Sequence, residues 1–205
     1  MAFLRSSVGQ DSALIVRGRG LWLRPPMMSD YPAWAELRAR SRGHLTPWEP
    51  LWQRDELIRS AFRRRVRHYQ REAREDQGYA FLILKDADDE LLGGLTLSNV
   101  RRGVTQAAVL GYWLGLPYVK RGYMTEAVAA IAGFAFEELH LHRLEAATMP
   151  SNLASIRVLE RNGFEREGLA RRLLKINGTW EDHVLHALLA DDFSRPRDAA
   201  EASSA

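Results

Sequence analysis

Between positions 111 and 127 the chain reads Gly-Tyr-Trp-Leu-Gly-Leu-Pro-Tyr-Val-Lys-Arg-Gly-Tyr-Met-Thr-Glu-Ala. A strand-like apolar run passes through a short basic loop and a glycine into a helical pattern. The first N–H groups of a helix have no intrahelical partner. Together with N–H groups of the loop before them they suit an anion such as a pyrophosphate. Lys120 and Arg121 add positive charge, and Gly122 frees the turn. The same residues also suit an ordinary strand-to-helix turn with two solvated bases. There is no Gly-x-x-x-x-Gly-Lys-Ser/Thr loop and no dinucleotide fingerprint, which argues against those two phosphate-binding classes.

Other chemistries are narrowed by what the chain lacks. Without cysteine it has no disulfide, thiolate zinc site, iron–sulfur cluster or cysteine nucleophile. His140 and His142, or His183 and His186, are close in sequence, but no third ligand follows at a matching spacing, so no metal is expected. Arginine supplies 26 of the 29 basic residues, although the net charge is only +3. Its planar fork suits phosphate and carboxylate partners.

The elements that must position these residues follow from periodicity. Residues 21–24 alternate like a short strand, and Ser29 is placed to cap a helix through about residue 41, with Trp34 and Leu37 buried and Gly43 as its stop. The 55–75 segment sets Leu57, Ile58, Ala61, Phe62, Val66 and Tyr69 on one helical stripe, with Arg63, Arg64, Arg65, Arg67, Arg71 and Arg74 largely opposite. Strands at 79–85 and 91–98 form a hairpin through Asp86, Asp88 and Asp89, and 109–116 is a third strand. After Gly122 the period becomes helical along Met124, Val128, Ile131, Ala135 and Leu139.

A strand at 143–148 leads to a short helix capped by Ser151 or Asn152 and closed by Asn162-Gly163. Strands at 169–176 and 180–189 flank Asn177-Gly178, a strong hairpin signal. This order predicts a single α/β domain at 19–193, with a mixed sheet, between a flexible segment at 1–18 and a disordered tail at 194–205.

A second block, Asn152-Leu153-Ala154-Ser155-Ile156-Arg157-Val158-Leu159-Glu160-Arg161-Asn162-Gly163-Phe164, follows the basic loop by about 30 residues. The pair of blocks resembles the GNAT acetyltransferase superfamily. The RimJ type, ribosomal-protein-alanine N-acetyltransferases, is resembled through His44-Leu45-Thr46-Pro47-Trp48-Glu49-Pro50, Ser98-Asn99-Val100-Arg101-Arg102-Gly103, Leu141 to Ala146, Met149 to Asn152, Gly163 to Gly168 and Ile176 to His183.

The resemblance implies a mostly antiparallel sheet flanked by helices, with an acetyl-CoA cleft between the central strands. Val119, Lys120, Arg121, Gly122, Tyr123, Met124 and Thr125 would cradle the pyrophosphate, and Asn152 and Ser155 would lie along the pantetheine arm. A backbone N–H on the strand of Tyr112, Trp113 and Leu114 would meet the developing oxyanion. Glu167 is implied as a base acting through water and Ser155 as the acid, with Glu126 the alternative carboxylate. His44, Trp48, Glu49 and Asn99 are implied at the acceptor cleft. Each also has a plain structural reading: Glu167 as a solvated strand residue, Ser155 as support for the cap, Trp48 as core and Glu49 as a helix-start residue. One departure is local. The superfamily loop usually reads Gln/Arg-Gly-Lys/Arg-Gly, and here Val119 and Lys120 stand at its first two positions.

The implied activity is transfer of acetyl from acetyl-CoA to the α-amine of an N-terminal alanine, with a ribosomal protein as partner. The alternatives are a small-molecule amine as acceptor, or a catalytically weak module that binds ribosomes or RNA. The Arg63 to Arg74 face suits ribosomal RNA phosphates or plain solvation. A chain of 205 residues, 46% hydrophobic and 27% charged, can bury a full core. It contains no stretch approaching the roughly 20 apolar residues of a membrane span, and the expected location is the cytoplasm. Oligomeric state is left open.

Overall fold

The computed structural model describes residues 14–193. The loose ends expected at 1–13 and 194–205 lie outside the described residues. The rest of the expected N-terminal segment is not a loose end, because Val16–Gly18 forms a first strand, β1, paired antiparallel with β2 (Leu21–Arg24). Three residues are too few for a visible period, and cross-strand pairing defines them instead.

Eight strands make one sheet in the order β1-β2-β3-β4-β5-β6-β8-β7. Here β3 is Tyr79–Lys85, β4 Leu91–Arg101, β5 Ala107–Leu114, β6 Arg143–Thr148, β7 Glu165–Ile176 and β8 Thr179–Leu189. The β5–β6 pair is parallel and all other pairs are antiparallel. The expected mixed, mostly antiparallel sheet is therefore present.

Strand alternation divides the core into two layers. Phe81 meets Phe134 edge-on at 5.6 Å, which assigns its face of the sheet to the helix α4 (Tyr123–Gly133) and its π-helical continuation Phe134–Glu138. Ala127, Val128, Ile131 and Ala132 of α4 are fully buried. Ala80 and Leu82 point the other way, toward α1 (Tyr31–Arg40) and α3 (Arg59–Arg74), where the Trp34 and Phe62 rings pack 4.8 Å apart. Full burial of a valine, leucine, isoleucine or phenylalanine among them contributes about 1.5–3 kcal/mol.

Three local expectations change. The helix after β2 is capped at Asp30, not Ser29, and carries Pro32 in its first turn, while Ser29 lies in a preceding 3-10 turn. Gly43 does not end the helical region, because α2 (Arg42–Leu45) follows with Gly43 inside it. The long basic helix starts at Arg59, so Leu57 and Ile58 precede it, and the Leu57 carbonyl accepts from Tyr31 Oη at 3.1 Å. The other turns match: Asn152 caps α5 (Leu153–Arg161) by accepting from the Ser155 N–H at 3.2 Å, and Gly163, Asn177 and Gly178 all have positive φ.

Candidate active site

The site begins where the sheet opens. Strands β5 and β6 pair only at Ala107/Arg143, Ala108/Leu144 and Val109/Glu145, although β5 runs on to Leu114 and β6 to Thr148. Beyond Val109 the edge of β5 turned away from β4 has no strand partner, so alternate backbone groups of residues 110–114 face a wedge. Tyr112, Trp113 and Leu114, the residues expected to offer an N–H to the oxyanion, lie on this stretch.

At the open end of β5 the chain makes a 3-10 turn, Leu116–Tyr118, and enters α4 through Val119, Lys120, Arg121 and Gly122. Lys120 has φ 61° and Gly122 φ 84°, two left-handed residues flanking Arg121. This curls successive N–H groups toward one side, the geometry of an anion nest. Among the described hydrogen bonds none is donated by the N–H groups of residues 119–125. Lysine in the usual glycine position therefore keeps the left-handed backbone, at a cost of about 1–2 kcal/mol for an L residue there. Met124 is buried, so it offers the nest its N–H and the core its side chain, while Lys120 and Arg121 are exposed beside it.

Ser155, in the first turn of α5, stands across the wedge from β5. Tyr112 Oη is 2.7 Å from Ser155 Oγ and donates to the Ser155 carbonyl at 3.2 Å. Burial pushes the Tyr112 phenol up to about 12, against a smaller lowering by the Ser155 bond. The loop thus follows the open end of β5, and Ser155 meets the same strand at Tyr112.

On the α1/α3 side lies a cavity of about 390 Å³ floored by Gly94, Thr96 and Gly111 and walled by Trp34, Trp52 and Trp113. Gly94 is required there, because a Cβ would come within 2.6 Å of Trp113 Nε1. The Arg38 guanidinium lies over Trp52 at 4.5 Å and over Trp113 at 4.9 Å. Both its Nη atoms donate to Glu49 at 2.7 Å, and Trp52 Nε1 donates to Glu49 Oε2 at 2.7 Å. Glu56 is likewise paired with Arg65. The two carboxylates of the cavity wall are charge-compensated.

Of the residues expected at the acceptor cleft, only Glu49 lines this cavity, and its carboxylate is committed to Arg38 and Trp52. His44 lies in α2, Trp48 is 36% exposed beside the cavity loop, and Asn99 sits exposed with φ 52° at the irregularity of β4 against β5. Arg38, Trp52 and Arg65 were not anticipated. Arg65, expected opposite the apolar stripe of its helix, turns toward the cavity. The available signals were the four-residue spacing of Arg38 from Trp34 and the position of Arg65 between Phe62 and Tyr69.

Glu167 is the extra residue where β7 slips against β8, between Arg166/His186 and Gly168/Leu185. A bulge of this kind re-aims a side chain, and the Glu167 carboxylate pairs with both Nη atoms of Arg143. The Arg143 hydrogen bonds hold its carboxyl below the usual range. The chain of charges continues from Arg143 to Glu145 and Arg101. Glu126 instead pairs with Arg19. Among the described residues no group of His, Asp or Glu could hold a metal ion. His186 is buried and desolvation lowers its pKa.

A sheet split by a wedge, with a turn of unpaired N–H groups at one end and a cavity beside it, is the frame of an acyl-transfer enzyme, and the family match agrees. Residues 20–165 match the family described as Acetyltransferase (GNAT) domain, and the chain belongs to it. It is 38% identical over 178 residues to the "Probable N-acetyltransferase YjcK" of Bacillus subtilis (strain 168), covering 87% of this chain and 98% of that one. It is 34% identical over 173 residues to the ribosomal protein uS5-alanine N-acetyltransferase of Escherichia coli (strain K12), covering 83% and 89% respectively. The solved structure of Mycobacterium smegmatis RimJ in complex with CoA-disulfide has a TM-score of 0.82 at 34% identity, over 92% of this chain and 91% of that one.

Proposed function

We propose that the protein transfers acetyl from acetyl-CoA to the α-amine of a protein beginning with alanine, a ribosomal protein being the acceptor. The observation that carries the reading is the opening of the sheet beside β5, with the 119–125 turn following the end of that strand and the aromatic cavity bordered by its Gly111 and Trp113. Similarity to the uS5-alanine enzyme along most of both chains supports the choice of acceptor. The charge-compensated cavity argues against a polyamine or aminoglycoside, which an acidic cleft would favour. Its volume accommodates more than a methyl group, so it takes residues beyond the first as well.

Acetyl-CoA supplies an activated carbonyl and a thiolate leaving group. The N–H groups of residues 119–125 bind its pyrophosphate, with Lys120 and Arg121 alongside, and Asn152 and Ser155 border its arm. An α-amine has an ordinary pKa of about 8, so a useful fraction is neutral at pH 7 and only a weak base is needed. Glu167, kept ionised by Arg143, orders the water that carries the ammonium proton away. A β5 N–H meets the oxyanion, and Ser155 donates toward the departing sulfur.

We also assign the exposed arginines of α3 to ribosomal RNA phosphates. Arg63, Arg67 and Arg74 have no ion-pair partner among the described residues, and binding through them would weaken steeply with salt. Among the described residues no helix is long and apolar enough to cross a membrane, and a cytoplasmic location fits a ribosomal acceptor.

The test is incubation with acetyl-CoA and peptides beginning in alanine or serine, following thiol release and peptide mass. Acetylation of the alanine α-amine, reduced at least tenfold by Glu167→Gln, is expected. Acetyl-CoA binding without transfer to any such peptide overturns the acceptor assignment.

A further inference from the structure

Tyr112 was expected to contribute only its backbone, yet its side chain makes the closest polar contact across the wedge. Leu95 and Phe81, its neighbours across β4 and β3, place it on the α4 face of the sheet, and its phenol reaches the first turn of α5. Both contacts end on one residue: Ser155 Oγ at 2.7 Å and the Ser155 carbonyl at 3.2 Å. The phenol has one hydrogen and a carbonyl only accepts, so either that hydrogen is shared between the two serine oxygens or it goes to the carbonyl while Ser155 Oγ–H donates to Tyr112 Oη. In the shared arrangement Ser155 Oγ is an acceptor toward Tyr112, and its own hydrogen is free to point into the wedge. Asn152 fixes the serine from the other side, its Oδ1 accepting from the Ser155 N–H at 3.2 Å.

Resting on the acetyl-transfer reading above, we propose that Tyr112 is a positioning residue that turns the Ser155 hydroxyl into a dedicated hydrogen-bond donor to the departing sulfur. As the amine nitrogen bonds to the acetyl carbon and the C–S bond breaks, the electron pair goes to sulfur. The resulting thiolate accepts from Ser155 Oγ–H, and Oγ accepts from Tyr112. Neither hydroxyl gains or loses a proton. The nitrogen gives its proton to water, and the thiolate is reprotonated from solvent. Donation from the phenol polarises the serine O–H, so the pair is a stronger donor than serine alone. Burial keeps the phenol protonated throughout the working range, as the role requires.

The experiment titrates the thiol of bound CoA by thiolate absorbance in the wild type, Tyr112→Phe, Ser155→Ala and the double variant. Steady-state kinetics with acetyl-CoA and the alanine peptide run alongside. The bound thiol should titrate lowest in the wild type, rise in Tyr112→Phe, and rise further and equally in Ser155→Ala and the double variant. In turnover, Ser155→Ala should lose about a hundredfold in kcat and Tyr112→Phe about tenfold, with KM for acetyl-CoA unchanged and the double no worse than Ser155→Ala. An unchanged thiol titration in Tyr112→Phe overturns the assignment, as does a rise in KM with kcat preserved, which would mark the tyrosine as packing. If wild type binds CoA but does not acetylate the peptide, the acceptor reading fails while the thiol titration still decides the role of Tyr112. Failure of CoA to bind overturns both.

Discussion

Replacing Glu49 by glutamine separates its two possible roles, as pillar of the cavity or as binder of the incoming amine. Arg38 and Glu49 side chains are 6% and 20% exposed, and two 2.7 Å bonds join them. Breaking a buried pair from one side leaves the other charge uncompensated, at about 3–5 kcal/mol. The low end applies, because Glu49 is one-fifth exposed and glutamine keeps one oxygen for Arg38 or Trp52. A loss of about 3 kcal/mol lowers the melting temperature of a domain this size by roughly 6–12 °C. Thermal unfolding by circular dichroism reads it. Arg38→Met and the double variant complete a cycle whose coupling should be roughly 2 kcal/mol. Stability within about 0.5 kcal/mol of wild type, with a raised peptide KM, would refute the pillar and return Glu49 to the amine.

Gly93→Ala should destabilise by about 3 kcal/mol or more, because its Cβ would come within 2.3 Å of the Trp113 carbonyl oxygen, backbone that cannot yield without moving β5. Urea unfolding measures the loss, and a near-neutral variant would show that the β4–β5 approach is looser than described. Arg143→Met should raise the Glu167 carboxyl toward its ordinary value, readable by carboxyl carbon NMR. A folded-state value below the unfolded one contributes stability that is full above the unfolded pKa and is lost as pH falls through the folded one. The variant should therefore lose its deficit against wild type in acid. With Glu167 side chain 44% exposed, that deficit is at most about 1 kcal/mol at neutral pH.

What could be read in advance was local. Asn177-Gly178, the Asn152 cap and the glycine before α4 each state their geometry within two or three residues, and all three are present. Boundaries were less legible where polar residues sit on buried stripes. Arg38 shares the Trp34 face of α1, but the Glu49, Trp52 and Trp113 partners that make its burial tolerable come from elsewhere in the chain. Arg143 and Glu167 meet because β8 inserts between β6 and β7, an order no short window of residues reveals. The block around Ser155 places it in the first turn of a short helix, while the phenol that meets it is contributed by a strand 43 residues earlier.

The short β5–β6 seam also bears on how the chain assembles. Three residue pairs join β1 through β5 on one side to β6, β8 and β7 on the other, whereas β4 and β5 alone match at seven positions. The sheet is two antiparallel blocks, each closed largely by neighbours in sequence, meeting along a narrow parallel register. Closing that register first would require ordering the long crossover through α4 for few hydrogen bonds, a loop-entropy cost repaid only once the blocks exist. The opening beside β5 is thus also the place where the fold is completed last, and where amide exchange from the native state should begin.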